Sequence, residues 1–163
     1  MSHDIRTPMN AIIGYNTIAE KNIEDKENIA AMSLSTQGGT TLAVDSNFSP
    51  LCLAYTWMDE RAKSESNDIA QKYGLNIYHT SGWRCDPTFD PPKMRWMAKN
   101  EPDTFNKAYS FVSTVEYVNY KLTGRNVTDP SNAAMRQLIN VNTGDWDDML
   151  LEAAGLTRDR LPE

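Results

Sequence analysis

Two cysteines in 163 residues leave no material for a disulfide framework. Cys52 and Cys85 form neither a Cys-x-x-Cys pair nor a zinc-type spacing, so they read as buried, reduced thiols in a cytoplasmic protein. Long apolar runs are also missing, and nothing approaches the ~20 residues that span a bilayer. The first residues lack the apolar stretch of a signal peptide, since Asp4 and Arg6 stand among polar neighbours. Without a secretory route the glycosylation patterns at Asn47 and Asn126 carry no meaning. Basic clusters are absent too. With 22 Asp+Glu against 16 Lys+Arg and a net charge of −6, the chain is no partner for nucleic acid or an anionic membrane surface, both of which need clustered Lys and Arg. Histidine is scarce. His79 stands beside a helix end, where a lone imidazole is a hydrogen-bonded structural residue rather than a base. The one Gly-Gly pair, Gly38-Gly39, lacks the following Lys-Ser/Thr of a phosphate-cradling loop.

What remains is the composition of one ordinary domain, 40% hydrophobic and 23% charged. Its organising stretch is residues 31–61. Residues 32–36 and 40–44 have strand-like alternation, joined by a tight Gln37-Gly38-Gly39 turn. Asp45-Ser46-Asn47 makes a second turn, and residues 51–55 are apolar enough for a third, buried strand. That strand ends at Trp57-Met58-Asp59-Glu60-Arg61. Binding groups collect where strands end, because the scaffold is rigid and backbone amides are free. Gln37, Asp59 and Arg61 are therefore candidate ligand contacts. Each also has a local alternative. Gln37 can bond the amides of its own turn, and Asp59 with Arg61 can form a surface ion pair worth ~0–1 kcal/mol.

Further on, residues 61–73 read as an amphipathic helix closed by Gly74. Residues 85–92 form a proline-studded loop that holds side chains still, Thr88 among them. A helix begins after Pro91-Pro92, with Met94, Trp96 and Met97 available for the core. Residues 111–122 run in helical steps to Gly124. Asp129 and Asn132 suit a helix cap, and Asp145-Trp146-Asp147-Asp148 starts a last helix that Gly155 closes.

The series Ser35-Thr36-Gln37-Gly38-Gly39-Thr40, Trp57-Met58-Asp59-Glu60-Arg61-Ala62 and Lys93-Met94-Arg95-Trp96 resembles the N-terminal domain of the FGGY carbohydrate kinases. It continues in Leu122-Thr123-Gly124, Thr128-Asp129, Ser131-Asn132-Ala133-Ala134 and Thr143-Gly144-Asp145-Trp146-Asp147, so that about four fifths of the chain is covered in the family's order. The resemblance implies an α/β fold, a partial ribonuclease H-like or actin-like domain with a short mixed sheet and flanking helices, over residues 30–163. It implies transfer of phosphate from ATP, with Mg2+, to a sugar or polyol hydroxyl. Gln37, Gly38, Asp59, Arg61 and Thr88 would face that substrate. The family's Asp-x-Gly-Thr phosphate loop, its catalytic Asp and its ATP-binding half find no match here, so this stretch reads as an incomplete kinase with no metal ligands of its own. Two departures bear on the substrate. Glycerol kinases have Tyr where this chain has Thr88 and Arg-Glu where it has Gly38-Gly39, while xylulokinases have Met-His after the turn Gln.

Residues 1–29 have a different character. Ile5, Met9, Ile12, Ala19 and Ile23 fall on one seam of a helix. The words from Ser2 to Tyr15, with His3-Asp4 and Thr7-Pro8, are similar to the phosphoacceptor box of sensor histidine kinases. That resemblance implies phosphorylation of His3, with Asp4 as helper, and a helix that pairs into a homodimer. Only two residues precede His3, however, and the first turn of a helix frays because its donors lack partners. A kinase fragment is the reading adopted. A His3-phosphorylated signalling fragment and a non-catalytic sugar-binding remnant are the alternatives.

Overall fold

The computed structural model describes residues 30–163. The chain divides into two compact units, Met1–Ser33 and Leu34–Glu163. The helix expected over residues 1–29, with His3 and Asp4, lies outside the described residues.

The second unit is built on a short antiparallel pair. Strand β1, Leu42–Val44, runs against β2, Ser110–Val112, with Leu42 opposite Val112, Ala43 opposite Phe111 and Val44 opposite Ser110. All six residues are buried, so neither face of the ribbon meets water. Such strands read as short continuous runs, and alternation fails as their signal.

Two expected strands take other forms. Residues 32–36 carry no strand, since a strand needs a ladder partner and none of the described residues supplies one. Residues 51–55 do return beside β1, through Thr41 and Tyr55, which exchange both backbone hydrogen bonds at 2.8 and 2.9 Å, and through Leu51 N–H donating to Ala43 O at 2.9 Å. Between those contacts the arm bulges outward and leaves Leu53 88% exposed, so it is an irregular arm and not a buried strand.

Helices α1 (Lys63–Tyr73), α2 (Leu75–Ser81), α3 (Asp90–Asn100) and α4 (Pro102–Lys107) follow, with β2 next. Helix α3 begins on Asp90-Pro91-Pro92, where the missing proline N–H groups would have gone unbonded anyway. The helical pattern expected across residues 111–122 splits into β2 and α5, Thr114–Thr123. The split falls at Ser113, whose capping box with Glu116 starts the helix there. Helix α6, Pro130–Ala134, is capped by Asp129, which accepts from Ser131 and Asn132 N–H at 2.9 and 3.1 Å. A second ladder pairs β3, Ile139–Asn140, with β4, Asp145–Trp146. Asp145 and Trp146 therefore belong to a strand. The last helix, α7, Asp148–Ala154, starts three residues later than expected, capped by Asp147 through Met149 and Leu150 N–H.

The main core joins β1, β2 and the helices: Ala43, Met94, Met97, Phe105, Phe111, Leu138, Leu151 and Ala154 pack together. An ion pair lies within it. Arg136 donates through Nε to Asp90 Oδ2 at 2.7 Å and through Nη2 to Phe111 O at 3.0 Å, with both side chains at most 2% exposed. The other oxygen of Asp90 accepts the Thr41 hydroxyl at 2.6 Å. One carboxylate thus ties the start of α3 to the entrance of β1 and, through Arg136, to β2.

Removing one partner of such a pair leaves an uncompensated buried charge. Arg136→Met is expected to lose ~3–5 kcal/mol of unfolding free energy by urea titration. Adding Asp90→Leu to that variant should recover part of the loss, whereas simple additivity of the two substitutions would contradict the pairing.

Candidate functional site

The Gln37-Gly38-Gly39 turn enters β1 and forms one wall of a cavity of about 350 Å³. Its lining is Gln37, Gly38, Gly39, Trp57, Thr88, Phe89 and Met135. Gly39 has φ +66°, and a Cβ there would fall 2.9 Å from Trp57 Cβ, so glycine is required for the turn and the indole to meet. A Cβ on Gly38 would fall 3.2 Å from Met135 Cε. Side chains at 38 and 39 would therefore meet Met135 and Trp57, which occupy that space.

Lys93, on the first turn of α3, is fully buried behind this wall. Its ammonium donates to Thr56 O at 2.9 Å and Gly39 O at 3.4 Å, and so holds the indole-bearing segment and the glycine turn at a fixed spacing. Burial pushes the Lys93 amine below its usual range, while the nearby Asp90, Asp59 and Asp86 carboxylates act in the opposite sense. Across the cavity, Thr88 is fixed by Asp86, whose Oδ1 accepts from Thr88 N–H at 2.9 Å and from the Thr88 hydroxyl at 2.6 Å. The Thr88 oxygen keeps its acceptor capacity toward the cavity. Gln37 is held loosely, with Nε2 donating to Thr40 Oγ1 at 3.4 Å.

Of the five residues picked from the sequence, Gln37, Gly38 and Thr88 line this one cavity, and Asp59 and Arg61 are not among its lining. Arg61 Nε donates to both Asp59 oxygens at 2.9 Å. Its guanidinium lies 4.2 Å from the Tyr55 ring centroid and 4.7 Å from that of Trp96. Tyr55 in turn donates its hydroxyl to Glu101 at 2.6 Å. The pair forms a clamp on the aromatic arm at residue 55. The sequence does not single out the other lining residues, Gly39, Trp57, Phe89 and Met135. Trp57 had a signal, a large aromatic at a strand end, but Met135 comes from a distant helix and has none.

Among the described residues the lining has no carboxylate, imidazole or ammonium, so it can orient a neutral polar molecule by hydrogen bonds and ring contact but offers no base. Among the described residues no three His, Cys, Asp or Glu side chains stand together as metal ligands. Gly39 O is engaged by Lys93. These residues do not fit Mg2+ or a nucleotide phosphate. A larger, open groove of about 840 Å³ borders Phe48, Tyr120, Asn126 and Trp146, but its Asp145 and Arg158 are bonded to each other. No described helix is long and apolar enough to cross a membrane.

Desolvation acts to raise the Asp59 carboxyl, but the Arg61 side-chain and backbone donors outweigh it and hold the group below the usual carboxylate range. Its contribution to stability is therefore present above the unfolded value of about 3.9 and is lost as pH falls through the lowered native value. Asp59→Asn is expected to flatten the fall in urea stability below about pH 4, while sugar affinity changes less than twofold. An unchanged acid slope would contradict the clamp.

Residues 7–163 match the family model described as the FGGY family of carbohydrate kinases, N-terminal domain. A glycerol kinase from Thermococcus gammatolerans is 34% identical over 151 residues, which is 90% of this chain and 31% of that enzyme. Crystal structures of a gluconate kinase and a ligand-bound xylulose kinase, both from Lactobacillus acidophilus, each share 30% identity at a TM-score of 0.80. Each covers 90% of this chain, which covers 30% of theirs. The chain thus spans about three tenths of the length of its relatives. With the mixed α/β fold and the family model spanning nearly all of its length, the chain belongs to the FGGY family of carbohydrate kinases.

Proposed function

We propose that this chain supplies the sugar- or polyol-binding part of an ATP-dependent carbohydrate kinase, and that the acceptor lies in the cavity beside Gly38 and Gly39. Members of the family are ATP-dependent kinases, and its relatives here are named for glycerol, gluconate and xylulose. The observation that carries the reading is the meeting of a carboxamide, a hydroxyl oxygen and an indole around one cavity of about 350 Å³. A volume near the lower end of the ~300–1,000 Å³ of small-molecule sites suits a monosaccharide better than a nucleotide.

In this reading the C–H face of the sugar lies on Trp57, which is 54% exposed and so has an indole available for contact. Gln37 both donates to and accepts from sugar hydroxyls, and Thr88 accepts through its remaining lone pairs. In phosphoryl transfer the acceptor oxygen forms a bond to phosphorus, the bond from phosphorus to the ADP oxygen breaks, and a base takes the hydroxyl proton. The residues lining this cavity position the acceptor and hold it out of water. The proposal gives them neither the base nor the nucleotide.

Calorimetry of the full chain against neutral ketoses, aldoses and polyols tests the reading. At least one ligand is expected to bind, with Trp57→Ala weakening it about three- to tenfold through loss of the ring contact. Gln37→Ala should weaken it by about the same factor through the lost hydrogen bond. Binding that survives both substitutions unchanged would place the acceptor elsewhere.

A further inference from the structure

The cavity is chemically lopsided. Gln37 and Thr88 supply its polar side chains, while Trp57, Phe89 and Met135 supply an apolar wall. Met135 is the C-cap of α6 and directly precedes Arg136, whose guanidinium is pinned by Asp90 and Phe111 O. Its backbone is therefore anchored, yet its side chain is 41% exposed and ends 3.2 Å from where a Gly38 Cβ would stand. Gly38 and Met135 compete for one volume: a Cβ at 38 pushes the Met135 methyl back by a few tenths of an ångström, and a shorter or charged side chain at 135 opens or charges the space above the turn.

The charge of the lining points the same way. No Lys, Arg or His lines the cavity among the described residues. Lys93, bonded to the lining residue Gly39, is fully buried behind it and directs its protons to Thr56 O and Gly39 O. An acidic sugar bound here would give up hydration of its carboxylate against a methyl group and an indole, with no counter-ion in return.

Resting on the acceptor-site reading above, we propose that Met135, seated over Gly38, is a specificity-determining residue that makes the site select neutral sugars or polyols over acidic ones of the same length. Met135 forms a side of the cavity against which the substrate lies. The identities near 30% to kinases named for both neutral and acidic substrates leave this choice to the lining residues.

The test is calorimetry of the full chain against matched pairs, each neutral sugar or polyol with its aldonic acid, such as D-glucitol with D-gluconate. Wild type is expected to bind at least one neutral member tenfold or more tightly than its acid. Met135→Arg should strengthen acid binding about tenfold, the scale of one charge-assisted hydrogen bond. Gly38→Ala should weaken the neutral ligand, and Met135→Ala combined with it should restore binding by vacating the shared volume. Circular dichroism and thermal unfolding confirm that each variant is folded, and the half-exposed Met135 makes that a mild demand. A preference that Met135→Arg leaves within twofold of wild type overturns the role of Met135 while the acceptor site stands. A wild type that prefers the acids overturns it as well. Absence of binding by wild type and all variants overturns both this inference and the acceptor reading.

Discussion

The buried Asp90 carboxylate is the constraint on which the rest of the second unit depends. It accepts from Thr41 at the entrance of β1 and from Arg136 just beyond α6, and Arg136 reaches Phe111 O on β2. Three segments far apart in sequence are thereby fixed to the start of α3. Such a pair adds little net stability over an apolar packing of the same volume, because both charges have been desolvated. What it supplies is placement, since each partner has few positions in which its hydrogen bonds are made.

The candidate site inherits that placement. Lys93 lies one turn along α3 from Asp90 and brackets the glycine turn and the Trp57 segment through their carbonyls. Met135 is adjacent to Arg136, so the far wall of the cavity is set by the same ion pair. The cavity is thus assembled by the core, while its own lining makes few bonds within itself. A pocket built this way keeps its hydrogen-bonding groups available for a ligand, which a self-bonded cluster such as Asp59 with Arg61 does not.

Much of this was legible in the residues. The glycine turn before a buried strand, the helix after Pro91-Pro92, the Asp129 cap and the closing Gly155 were all readable from turn and capping chemistry. The family was legible from words spread along the chain. Two misreadings have physical causes. Residues 51–55 are apolar, but apolarity does not reveal that the middle of the arm bulges between two sets of β1 contacts. Residues 111–122 contain a three-residue strand that a helical period absorbs, and only the Ser113 capping box marks the change. Asp59 and Arg61 have the residue types of a ligand site, and the Tyr55 and Trp96 rings beneath Arg61 hold the pair to the arm. Met135 reaches the cavity, and Lys93 the turn behind its wall, through tertiary contacts, which no local pattern encodes.

The account stands on the location of the acceptor, and amide NMR of the isotope-labelled chain titrated with a bound sugar reads it directly. The predicted result is shift changes concentrated on the amides of Gln37, Gly38, Gly39 and Thr88 and on the Trp57 indole N–H. Changes gathered instead around Phe48, Asn126 and Trp146, in the larger groove, would contradict it.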